Sequence, residues 1–309
     1  MTGSRTVRAV ARWLVFVALT GCSAYAADAA ATAKSAVDPS YRRSILQWRQ
    51  ELLEDRKKNW LPLAGLFWLK PGENTFGTAG SNRLVLPKGS APARAGVFVL
   101  QDGEVSIRVQ PGVQATAEGK PFTSQKLQPD VSGEPTVIKL GRLRMHVIKR
   151  GDKLGIRVKD LEHPALRKPP PLDFYPIDTA YRVTAAWVPG DGARKIAVPN
   201  VIGTVEMATV PGEARFQLNG HEMTLTAVSG DDKELFFVFA DQTSQHETYP
   251  AGRFLYADLP VKGTVVLDFN KAYNPPCAVT PYATCPIAPK ENRLPLRIAA
   301  GEKFDHKGR

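Results

Sequence analysis

The 309-residue chain is poor in the groups that usually announce a chemistry: it has three cysteines and five histidines. His146, His163, His221, His246 and His306 are scattered, with no His-Glu-x-x-His or comparable ligand pair, so no metal site is expected. His146 sits in an alternating apolar stretch and reads as a packed residue rather than a ligand. A Gly-x-Ser-x-Gly elbow, a phosphate loop ending in Lys-Ser or Lys-Thr and a dinucleotide fingerprint after a strand are also missing, and no cofactor is expected. The apolar run near the start, Trp13 to Leu19, has seven residues against the roughly 20 that span a bilayer, which argues against a permanent transmembrane anchor. Basic residues outnumber acidic ones by 41 to 30, but they occur in short pairs such as Arg42-Arg43 and Lys57-Lys58 without interleaved aromatics. That pattern excludes a nucleic-acid partner and describes a solvated surface; attraction to anionic lipid or an anionic envelope polymer is the sharper reading.

What is present begins with a leader. Arg5, Arg8 and Arg12 precede the apolar run and small residues follow, with no acidic side chain before Asp28, so residues 1–26 read as a secretory signal and stand outside the fold. Two processing sites compete. Leu19-Thr20-Gly21-Cys22 resembles a bacterial lipobox, which would make Cys22 the lipidated N-terminus and the membrane the partner of the anchor. Ala24-Tyr25-Ala26 fits ordinary cleavage and would release a soluble periplasmic protein. Residues 27–38, rich in alanine, form a tether. With Cys22 consumed, Cys277 and Cys285 remain in an oxidising compartment, where a disulfide is the default. Closing a loop of that size contributes about 2.5 kcal/mol by chain entropy.

One helix is expected over residues 39–60, capped by Asp38, opened by Pro39 and striped by Ile45, Trp48, Leu52 and Leu53, with Trp48 and the leucines packing on the sheet that follows. From Leu61 the period becomes two. Arg83–Leu86, Gly96–Leu100 and Glu104–Val109 are strands, and Arg142–Lys149 pairs with Lys153–Lys159 across Arg150-Gly151-Asp152. Residues 163–178 hold Pro164, Pro169, Pro170, Pro171 and Pro176 and read as an inter-domain crossing, since proline lacks the ladder donor. A second strand series runs through Tyr181–Val188, Gly203–Thr209, Ala214–Leu218, Glu222–Val228, Leu235–Ala240 and Thr264–Phe269. The expected architecture is all-β: two antiparallel sandwich or barrel-like units, at 39–162 and 179–309, preceded by one amphipathic helix.

Gly72-Glu73-Asn74-Thr75-Phe76-Gly77, Asn82-Arg83-Leu84 and Lys139-Leu140-Gly141 resemble the cadence of a forkhead-associated sandwich. Thr78 and Ala93 stand where the phosphothreonine-binding pattern of such domains has arginine and histidine, so the resemblance implies a sandwich core rather than that chemistry. Trp60-Leu61-x-Leu63-x-Gly65-Leu66-x-Trp68-Leu69, Asp241-x-Thr243, Glu247-Thr248-Tyr249-x-x-Gly252-Arg253-Phe254-Leu255 and the segment from Asp268 to Glu302 resemble domain-of-unknown-function family 1684 over nearly the whole mature chain. The resemblance implies kinship without an activity. It implies a glycine where this chain has Gln245-His246 after Ser244, and, because members also occur without leaders, it leaves a reduced or regulatory cysteine pair open beside the disulfide.

The candidate site is the irregular segment 265–302. Asp268, Asn270, Tyr273, Asn274, Tyr282 and Asn292 would present acids, amides and phenols from a proline-stiffened loop, and Glu247, Tyr249 and Arg253 would join them at the same rim. Arg253 is open between clamping an anion and pairing with Asp241 or Asp268. A polar small molecule or glycan is the expected ligand. The alternatives are a hydrolase using Glu247 and Asp268 as acid and base, and a structural or partner-docking protein.

Overall fold

The computed structural model describes residues 37–306, so the expected leader, most of the tether and Cys22 lie outside the described residues. From Val37 onward the chain forms one compact unit. Helix α1, Pro39–Asn59, starts as its sequence dictates: Asp38 accepts from the backbone N–H groups of Ser40 and Tyr41 at 2.8 and 3.0 Å. Arg56, Lys57 and Lys58 in the last turn suit the negative end of the helix dipole. No helix among the described residues is long and apolar enough to cross a membrane.

Two sheets then face each other. One runs, in spatial order, Leu63–Trp68, Lys153–Asp160, Leu143–Arg150, Ile138–Leu140, Thr116–Ala117 and Lys120–Pro121; the other runs Leu84–Val85, Gly72–Gly77, Gly96–Gln101, Glu104–Val109 and Ser124–Leu127. Their inner faces bury Phe76, Phe98, Ile107, Met145, Ile156 and Val158, and Phe76 and Phe98 meet at 4.7 Å between ring centroids. Each such side chain stabilises by about 1.5–3 kcal/mol. The anticipated hairpin is present with Arg150 opposite Lys153 and Gly151 at φ +55°. Because Leu143, Met145 and Val147 point inward, period two turns Arg144, His146 and Arg150 to the outer face, beside Arg157 and Lys159 of the partner strand.

In the second half a four-stranded sheet, His221–Thr226, Gly212–Leu218, Arg182–Pro189 and Thr264–Asp268, encloses a core with Ser229–Gly230, Glu234–Phe239 and Arg253–Asp258. A two-stranded ribbon, Lys195–Pro199 with Val205–Thr209, and the loop containing Ala283, Cys285 and Ala288 cover a third apolar cluster. The architecture is mostly antiparallel β with one long helix, and none of these sheets closes into a barrel.

The proline-rich segment makes one short helical turn, Pro164–Arg167, and is tied to the end of the chain: Phe174 bridges Glu302, and the Lys303 N–H donates to the Asp173 carbonyl at 2.9 Å. The destination of α1 also differs from expectation. Trp48 packs against Phe174 and Tyr273, with ring centroids 6.3 and 6.1 Å away, instead of on the sheet that follows it in sequence. Tyr41 and Arg56 likewise reach Asp268 and Glu302. An apolar stripe fixes which side of a helix is buried, and not which surface covers it.

Candidate functional site

The groups foreseen in 247–292 do not converge on one ligand. Arg253 opens the Arg253–Asp258 strand with its guanidinium wholly buried, and its Nη2 donates to Asp241 Oδ2 at 3.0 Å and to the Ile298 carbonyl at 3.1 Å, while Nη1 donates to the Ala300 carbonyl. Asp241 is itself saturated by the N–H groups of Thr243 and Ile298. This is a structural knot. Of the two roles open to Arg253, pairing with Asp241 is the one realised.

Asn292 is also consumed by main chain: its Oδ1 accepts from the Thr226 N–H at 2.8 Å and its Nδ2 donates to the carbonyls of Thr226 and Val238. Asp268 caps the turn that follows it through the Asn270 N–H at 3.1 Å and accepts from the Tyr41 hydroxyl at 2.9 Å. Asn270 donates to the Asp178 carbonyl and accepts from the Asp178 N–H, so the pair latches α1 and the crossing segment onto the second half. Burial, reinforced by the Asp268 charge, pushes the Tyr41 phenol above its ordinary value. Tyr273 lies in an aromatic cluster, stacked with Trp60 at 6.0 Å and edge-on to Phe254 at 5.8 Å, and burial raises it too. Tyr249 packs edge-on to Phe304 at 5.0 Å, and half-buried Tyr282 donates its N–H to Thr280 Oγ1 at 3.3 Å.

Cys277 and Cys285 are adjacent but carry free thiols, so the expected bridge is not formed in this structure; the Cys277 N–H donates to Cys285 Sγ at 3.1 Å. Contact with Cys277, then burial, pushes the Cys285 thiol far above its usual range. The Cys285 thiol held this way stays protonated.

Two predicted residues, Glu247 and Asn274, do share a cavity. It encloses about 940 Å³, and His246, Asp173, Lys303 and Pro170 also line it. Its floor is the buried pair of Arg56 and Glu302, with Nη2 to Oε2 at 2.6 Å and Nη1 to Oε1 at 2.8 Å; the Asn274 N–H donates to Glu302 Oε2 as well. The Asn274 amide is locked by donation from Nδ2 to the Lys303 carbonyl at 2.7 Å, which leaves its buried Oδ1, and Arg56 Nε, without partners. On the wall, Glu247 accepts from Arg297 at 2.6 and 2.9 Å and from the Tyr175 hydroxyl at 2.9 Å. The Arg297 hydrogen bonds hold its carboxyl below the ordinary glutamate value, so it is anionic at neutral pH. Burial, then the bond to Glu247, raises Tyr175. Asp268 does not line this cleft, so the two proposed carboxylates are not brought together there.

Sequence reasoning missed Arg56 and Glu302. A signal existed for Arg56: it continues the buried stripe of Ile45 and Leu52 at helical spacing, and a charge on an apolar stripe needs a buried partner. Among the described residues no group of three or more His, Cys, Asp or Glu is placed to hold a metal ion.

This geometry lies largely within a recognisable stretch of sequence. Residues 170–303 match the family model of a protein of unknown function, DUF1684. The motifs at 60–77 fall outside the matched span, which is therefore narrower than the resemblance visible in the sequence. Comparison with curated proteins finds no match. Among solved structures, an uncharacterized protein of Haloarcula marismortui is 27% identical, with a TM-score of 0.38 over 47% of this chain and 82% of its own. The FhaA FHA domain, solved with the intracellular domain of Rv3910, is 17% identical with a TM-score of 0.22, covering 30% of this chain and 97% of its own. The FHA-2 domain of a Mycobacterium tuberculosis ABC transporter is 21% identical with a TM-score of 0.22, covering 29% and 77%. The matched span thus contains Glu247, Asn274, Glu302, Arg253 and both C-terminal cysteines, while Arg56 is supplied from outside it.

Proposed function

We infer that this is an exported envelope protein, tethered through a lipid on Cys22, whose DUF1684 segment binds a polar, hydroxyl-bearing small molecule or glycan in the 940 Å³ cleft. The observation that supports the reading is the cleft itself: an anionic Glu247 and a cationic Lys303 on its walls, and a locked Asn274 whose Oδ1 awaits a donor. A buried acceptor without a partner costs about 1–3 kcal/mol, which a hydroxyl or a bridging water recovers. A hydrolase reading would have to use Glu247 without Asp268, and is the weaker one. In the oxidising envelope, Cys277 and Cys285 close to a disulfide, giving up two protons and two electrons to the compartment's thiol oxidant.

Saturation-transfer NMR with neutral and amino-substituted monosaccharides tests the binding. Signals saturating with sugar concentration and weakened about tenfold by Glu247→Gln are expected, as for loss of one charge-assisted hydrogen bond. No transfer to any sugar, or transfer unchanged in Glu247→Gln and Asn274→Asp, removes this reading. Cys22→Ala should shift the protein from the membrane to the soluble fraction. Thiol titration of denatured protein taken from the envelope should detect no reactive Cys277 or Cys285 until reductant is added.

A further inference from the structure

A second cavity, of about 370 Å³, lies across the 276–286 loop, against the outer face of the 143–160 hairpin. His146, Arg157 and Lys159 line it together with Thr284, Trp60 and Phe254, and none of its lining residues is a carboxylate. The register explains the gathering of charge: His146 stands directly opposite Arg157, and Lys159 follows two residues on, on the same side of the sheet.

The protein does little to neutralise these groups. Arg157 Nη2 donates to Thr284 Oγ1 at 3.3 Å, and its buried Nε has no partner. Lys159 Nζ donates to Asn59 Oδ1 at 3.2 Å, a neutral acceptor. Asp130 opposes the cluster from outside the cavity but is already bound to Arg150 at 2.9 Å, and Asp55 acts on Lys159 from a distance. The one soft group in the lining, Cys285, is held as a neutral thiol. Burial and mutual repulsion consequently lower Arg157 and Lys159 from their usual values and push His146 down to about 4.

We propose that this cavity is a binding site for a phosphate-class oxyanion, held by Arg157 and Lys159 with Thr284 as a neutral donor and with Trp60 and Phe254 flanking whatever the anion is attached to. An oxyanion supplies an acceptor for the unpartnered Arg157 Nε and a charged partner for the Lys159 ammonium, whose present acceptors, Asn59 Oδ1 and the Lys58 carbonyl, are neutral. The volume exceeds that of one tetrahedral anion, which leaves room for the body of a phosphomonoester against the aromatic walls.

Isothermal titration at fixed ionic strength, maintained with chloride, tests this on the full chain with inorganic phosphate in one arm and phenyl phosphate in the other. Saturable binding in either arm is expected, weakened about tenfold by Lys159→Gln, as for the loss of one charge-assisted hydrogen bond. Tighter binding of phenyl phosphate identifies an ester as the ligand; equal binding identifies the free anion. Arg157→Lys keeps the charge and the fold while removing the planar fork, and should weaken both ligands by a similar factor. Absence of saturable binding in both arms, or binding unchanged by both variants, overturns the site. The 940 Å³ cleft is not involved, since Glu247→Gln should leave both affinities unaltered.

Discussion

Arg253 is wholly buried and Arg157 partly so, and they end in opposite circumstances. Around Arg253 every donor direction used is met by Asp241 or by the carbonyls of Ile298 and Ala300. Around Arg157 the cavity offers another cation, a histidine and a threonine, the nearby Asp130 is already bound to Arg150, and one guanidinium nitrogen has no partner. The first arrangement holds the irregular C-terminal segment in place at the cost of making the pair indispensable to it. The second is a standing liability in the isolated protein, of the kind that persists where a ligand repays it. Burial of a charge therefore does not by itself separate scaffold from site; the sign and number of its neighbours do.

The comparison breaks most visibly on removal of Arg253. Arg253→Met leaves Asp241 as an uncompensated buried charge and should cost about 3–5 kcal/mol, measured by urea denaturation. A loss below about 1 kcal/mol would place the knot among optional contacts.

A smaller effect is expected in acid. The folded-state pKa of His146, about 4, lies below the unfolded value near 6.5, so the unfolded chain takes up the proton first. Stability from this residue is complete above the unfolded value and falls as pH drops from about 6.5 toward 4, by about 3 kcal/mol in all. His146→Gln should flatten that part of the stability profile. Sulfate, which does not titrate in this window, should restore the wild-type loss if it fills the cavity beside Arg157 and Lys159.

Removal of Arg157 should move stability in the direction opposite to removal of Arg253: Arg157→Gln in anion-free buffer is expected to gain about 1 kcal/mol by relieving repulsion with Arg150, Lys159 and any proton on His146. A destabilised variant would align the two arginines after all.

The smallest change concerns Gln245, which sits at φ +78° within the Asp241–Thr248 turn that carries Arg253's partner. Gln245→Gly should stabilise by about 1 kcal/mol, because only glycine adopts that region without a Cβ penalty. Thermal unfolding of the single variant checks it.

Much of the scaffold was legible from the sequence, because short-range chemistry determines it. Asp38 and Pro39 mark the start of α1, alternation marks the 143–160 hairpin, and the prolines of 163–178 exclude long strands. The glycine position expected in the family pattern coincides with the left-handed Gln245. What the sequence concealed is long-range. The residues chosen for chemistry in 247–292 are of the types that bind ligands and of the types that satisfy irregular backbone, and Arg253, Asp268, Asn270 and Asn292 prove to serve the latter role. Glu247 and Asn274 were identified, but their cleft is completed by Arg56 and Lys303, which local pattern does not link to them. His146 reads as an ordinary packed residue until the register of the next strand sets Arg157 opposite it.

The docking of α1 has a consequence for how the molecule comes into being. Tyr41 meets Asp268 across 227 positions and Arg56 meets Glu302 across 246, so the helix is synthesised first and is among the last pieces to find its seat. Ring closure over such spans is entropically slow, and until it happens the first sandwich can mature while the second lacks a wall. A chain crossing a membrane N-terminus first would thus stay pliant through most of its passage and become rigid only when its final strands arrive.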